Sequence, residues 1–64
     1  MSDYLNTFEV AEKARTVPET VRYWRHIGYG PPSFKIGRRV LYRREDVQRW
    51  LDDEFARQNS GGAA

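Results

Sequence analysis

The 64-residue sequence predicts one small α+β domain, and three observations carry that expectation. Residues 16–28 hold a helix start signal, an amphipathic pattern and a stop signal. Two short β-prone runs, 34–36 and 40–42, flank Gly37-Arg38-Arg39. Another apolar pattern at helical spacing follows from residue 44. A chain this short buries a marginal core, so each large apolar residue counts. The domain is expected to occupy residues 1–57, with 58–64 a flexible C-terminal tail.

The first element is a helix over residues 8–15, preceded by Asn6 and capped by Thr7, with acids in its first turn and bases in its last. Phe8, Ala11 and Ala14, or the stem of Arg15, form its packing stripe. The small alanines admit a second helix at close range, and almost no chain separates Arg15 from the next element. A sharp helix-to-helix turn without glycine is therefore expected.

In the second helix, Thr16 is the expected N-cap and Glu19 reaches back to it, a capping box, with Pro18 in the first turn. Gly28 suits the left-handed residue beyond a helix end, and Gly30-Pro31-Pro32 prevents a restart. At about 100° per residue, Val17, Val21, Trp24 and Gly28 share one face, opposed by Glu19, Arg22, Tyr23 and His26. One face packs and the other is offered outward.

The runs at 34–36 and 40–42 read as a hairpin turning at glycine, with Arg38 and Arg39 at its tip. Tip charges keep an edge strand soluble; they also place two guanidinium groups where the fold itself has no use for them. A third helix, from about residue 44 to 57, opens with Glu45-Asp46 and places Val47, Trp50, Leu51 and Phe55 in the core. Trp24 and Trp50 are assigned to the core as well.

Composition narrows the function. No cysteine and a single histidine exclude a disulfide framework and make a zinc site implausible, so neither metal nor cofactor is expected. No paired histidine and carboxylate, phosphate-cradling loop or room for a pocket suggests an enzyme. The apolar runs are too short for a membrane span and the N-terminus lacks a signal-peptide pattern, so a cytoplasmic location is expected.

The formal net charge is only +2, but ten of the eleven basic residues fall between residues 13 and 49 against three acids, making that segment +7 and the remainder −5. Nine of the eleven are arginines, whose planar fork suits phosphates and guanine edges. Double-stranded DNA is the favoured partner over a membrane surface.

Helix, tight turn, helix, basic-tipped hairpin and helix together make a winged helix-turn-helix, in which the second helix enters the major groove and the wing meets backbone or minor groove. Glu19 accepts from a cytosine amino group if it is not held in the cap, and Arg22 spans a phosphate or a guanine edge. Thr20 and Tyr23 offer hydroxyls to phosphate or a contact to a thymine methyl, and His26 is either solvated or a donor to a base or phosphate. Arg25, on the flank, suits a phosphate or a surface ion pair. Lys35, Arg39 and Arg43 are supporting phosphate candidates. Arg38 stands out among the wing residues, because the preceding glycine sets a tight tip.

The run Glu19-Thr20-Val21-Arg22-Tyr23-Trp24, then Pro31-Pro32, Lys35-Ile36-Gly37-Arg38-Arg39 and Leu41-Tyr42, resembles the small excisionases of temperate phages, the recombination directionality factors, over roughly residues 5–55. Through Thr20-Val21-Arg22-Tyr23 and Gly28 the chain also resembles excisionase-like modules and the DNA-binding domain of MerR-type regulators. The resemblance implies a non-enzymatic architectural protein that binds beside a phage attachment site, bends the DNA and directs a phage integrase toward excision. It places the family's minor-groove arginine at Arg38. Tyr23 and His26 stand where better-known members carry arginine, which implies weaker or different base reading. A monomer in free solution, assembling with other copies of itself along DNA, is expected. The competing readings are a small transcriptional regulator on the same fold, and a protein-interaction module whose arginine face meets an acidic partner.

Overall fold

A computed structural model describes residues 3–62, and the side chains of residues 3–59. In chain order it contains β1 (Tyr4–Leu5), α1 (Thr7–Lys13), α2 (Pro18–Ile27), β2 (Phe34–Ile36), β3 (Arg39–Arg43) and α3 (Arg44–Gly62). This is a three-helix, three-strand winged helix-turn-helix of the α+β class. The strands form one antiparallel sheet in the order β1-β3-β2. The two-residue β1, absent from the sequence reading, pairs Leu5 with Tyr42 and Tyr4 with Arg43 and so ties the N-terminus to the wing.

The helix ends differ from expectation in instructive ways. Asn6, not Thr7, caps α1: its side chain accepts from the Glu9 N–H at 2.8 Å, and the Glu9 carboxylate accepts from the Asn6 N–H at 2.8 Å. Thr16 does not cap α2, and the expected box with Glu19 does not form. The N-cap is Val17, which makes no side-chain cap bond. Proline explains the shift, since Pro18 is preorganised for the first helical position and forces the residue before it into extended backbone; Val17 has φ −107 and ψ 155.

α1 stops at Lys13, two residues earlier than expected, because Arg15 turns left-handed at φ 59. Its N–H donates to the Glu12 carbonyl at 3.1 Å and the Thr16 N–H to the Ala11 carbonyl at 2.8 Å, a Schellman closure. α2 ends by the same pattern, with Gly28 at φ 76 donating to Arg25 and Tyr29 donating to Trp24.

The core is Leu5, Val10, Ala11, Val21, Tyr42 and Val47, with Trp24, Val40 and Leu51 packed against it. Val21, Val47, Trp24 and Leu51 hold the places expected of them, and Trp50 is half-buried. Three other core assignments fail. Val17 is 53% exposed at the helix entry, Phe8 is 61% exposed because α1 buries Val10 beside the expected Ala11, and Phe55 is 70% exposed.

Phe55 lies where α3 has left the body: from Asp52 to Asn59 every residue but Glu54 is exposed. The helix continues past Arg57 to Gly62. Local contacts support it, including the Arg57–Glu54 ion pair and an Asn59 side chain donating to the Phe55 carbonyl at 2.8 Å. The part of the expected tail at residues 63 and 64 lies outside the described residues. No helix among the described residues is long and apolar enough to cross a membrane.

Candidate nucleic-acid interface

α2 is held by its inner side. Val21 is 1% exposed, and Trp24 packs against Trp50 in a tilted contact at 48° with ring centroids 5.2 Å apart, Tyr29 meeting both rings edge-on at 5.7 and 5.5 Å. Gly30, at φ 95, brings the loop backbone against Trp24, where a Cβ would sit 3.4 Å from that ring. This aromatic clamp fixes the helix and leaves its far side to solvent.

On that far side Glu19, Arg22, Tyr23 and His26 are all exposed, as the wheel anticipates, and Ile27 joins them at 52% exposure. With no cap to serve, Glu19 is free to act as an acceptor. Thr20 is half-buried on one flank. Arg25, half-buried on the other, donates from Nη1 to the hydroxyl of the buried Tyr42 at 3.4 Å, a link from α2 to the wing strand.

The wing pairs Phe34 with Leu41, Lys35 with Val40 and Ile36 with Arg39, leaving Gly37-Arg38 as a two-residue turn. Gly37 has φ 60 and Arg38 does not share the left-handed region, the pattern of a type II′ turn with glycine at its first central position. Arg38 is therefore the apex, whereas Arg39 already belongs to β3. Directly paired residues share a face of the ribbon, so Arg39 sits with Ile36 and Lys35 with Val40 on opposite faces. Lys35, Arg38 and Arg39 are all exposed.

Arg22 and Arg39 come together in one groove of about 630 Å³, between the start of α1, α2 and the wing, whose wall includes Phe8, Tyr4 and Leu41. The Arg22 guanidinium lies over the Phe8 ring, 5.9 Å from its centroid. Arg43 lies elsewhere, in a second groove with Lys13 and Arg44, and is paired with Glu45 at 2.7 Å and Asp46 at 3.9 Å. Of the named basic candidates, Arg22, Arg25, Lys35, Arg38 and Arg39 have no carboxylate partner among the described residues. Such an array of unneutralised donors can donate to phosphate oxygens or to acceptors on base edges.

Sequence reasoning missed Phe8 as a surface residue and Tyr42 as a hydrogen-bond partner. For Phe8 a signal existed, since Val10 lies about 200° from it on the wheel and only one of the two can face the core. For Tyr42 none did. Among the described residues no group of three or more histidine, cysteine or acidic side chains could hold a metal ion.

A family model described as a helix-turn-helix domain matches residues 4–55. Neither a curated protein sequence nor a solved structure matches the chain.

Proposed function

The chain belongs to the helix-turn-helix domain family, and from that premise we propose that it is a sequence-specific architectural DNA-binding protein acting as a phage excisionase. In this reading α2 enters the major groove with Glu19, Arg22, Tyr23 and His26 toward the bases, and Thr20 and Arg25 at its flanks. Arg38 at the wing apex reaches the minor groove, and Lys35, Arg39 and Arg43 meet phosphates. The observation that carries DNA binding is the arrangement of α2 and wing, whose unpaired arginines Arg22 and Arg39 line one groove. No catalytic role is assigned to any residue.

The excisionase assignment rests on the resemblance carried by 19–24, 31–32, 35–39 and 41–42. It entails cooperative binding of adjacent copies, bending of the DNA and direction of an integrase. The central positions of α2 carry Tyr23 and His26, so one copy reads few bases; neighbouring copies and the wing supply the remaining specificity.

The test is binding to a duplex selected from a randomised pool, presented as one site and as direct repeats, with the site permuted along the fragment to report bending by gel mobility. An excisionase binds the repeats cooperatively and shifts mobility with site position. Non-cooperative binding without bending identifies a transcriptional regulator on the same fold. Preference for acidic protein over any duplex removes the DNA reading.

A further inference from the structure

We propose that Phe8 is a positioning residue for DNA contact: its ring holds the Arg22 guanidinium at the groove that Arg22 shares with Arg39. The inference rests on the DNA-binding reading and adds to it a residue on α1, outside the recognition helix and the wing. Single exposed apolar side chains are ordinary, so the 61% exposure of Phe8 carries nothing alone. What carries the inference is the guanidinium carbon 5.9 Å from the ring centroid, within the range of cation–π attraction. Both residues also line the same groove as Arg39.

The chemistry of the support matters. A carboxylate holding Arg22 would neutralise it and would have to be displaced before a phosphate could bind. An aromatic face instead restrains the long side chain while leaving its charge and its forked N–H donors available. Glu9, the acid in the same groove, does not compete, because its carboxylate closes the α1 capping box on the Asn6 N–H at 2.8 Å. The capped Glu9 thus forms no ion pair with Arg22, and Phe8 supplies an uncharged platform.

Fluorescence anisotropy on a labelled duplex selected from a randomised pool tests this with wild type, Phe8→Leu, Phe8→Tyr, Arg22→Ala and the double variant Phe8→Leu/Arg22→Ala. Phe8→Leu weakens binding about two- to fivefold and leaves the salt dependence unchanged, since no charge is lost. Phe8→Tyr, which keeps the π face, retains wild-type affinity. In the Arg22→Ala background Phe8→Leu has no further effect. Equal weakening in both backgrounds, or wild-type affinity for Phe8→Leu, overturns the proposal. Loss of the folded circular dichroism spectrum in Phe8→Leu overturns it too, by showing that the ring is structural. Failure of wild type to bind any duplex removes the DNA reading instead, a distinguishable result.

Discussion

Arg15 occupies left-handed backbone at φ 59, a conformation that costs an L-residue about 1–2 kcal/mol and costs glycine little. It closes α1 with the same pair of hydrogen bonds that Gly28 uses to close α2. The two positions therefore predict opposite outcomes. Arg15→Gly, with its added unfolded-state entropy deducted, raises stability by about 0.5 kcal/mol. Gly28→Ala lowers it by about 1 kcal/mol, purely through the backbone, since a Cβ there meets nothing within 4 Å. Urea unfolding of both variants checks the signs. The caps predict a second contrast: Asn6→Ala costs about 1 kcal/mol, while Thr16→Ala loses no cap bond and costs less. This scale was the least legible in the sequence. Thr16, Thr7 and Asn6 all have cap chemistry, and the choice among them fell to Pro18, which moved the start of α2 by one residue, and to Glu9, which found Asn6.

Gly28 and Gly37 were readable as punctuation, and between them the elements came out nearly as the sequence predicts, because start and stop signals act within a few residues of each other. What could not be read was pairing across distance. Tyr4–Leu5 has no strand pattern of its own and becomes β1 only because β3 offers an edge. Likewise Tyr29, past the end of α2, donates its phenol to Glu54 on α3 at 3.0 Å, and Arg57 pairs with the same carboxylate. Arg57 holds the Glu54 carboxyl below its ordinary value, with Tyr29 assisting; Glu54 in turn raises the Tyr29 phenol. The signs follow. Stability from the depressed Glu54 is present above the ordinary carboxylate value and lost as pH falls through the depressed one. Stability from the raised Tyr29 is present below the ordinary phenol value and lost as pH rises through the raised one. Glu54→Gln therefore flattens both ends of the pH–stability profile, and thermal melting from acid to alkaline pH measures it. Solvent around the cluster keeps the effect small.

At the scale of the molecule, segregation of charge outlasts the small core as the feature that decides behaviour. Among the described residues only seven are buried, Pro31 and the six of the core cluster, so Val47→Ala is expected to cost about 1–3 kcal/mol, a large part of the roughly 3–10 kcal/mol that a chain of this size commands. The basic surface, by contrast, tolerates single losses and reports them through salt. Each phosphate neutralised contributes about −0.9 to the slope of log K against log salt, so contacts to four to six phosphates give a slope near −4 to −5. The structure sorts the arginines within that sum. Arg38 and Arg39 have no acidic partner among the described residues, whereas Arg43 is already paired with Glu45 at 2.7 Å and Asp46 at 3.9 Å. A phosphate meeting Arg43 must first break those pairs, and its counterion release is correspondingly reduced. Arg38→Ala and Arg39→Ala should each reduce the slope by about 0.9, and Arg43→Ala by clearly less, in titrations of one duplex across a salt series. A slope indifferent to Arg38 and Arg39 would place the DNA on another face of the molecule.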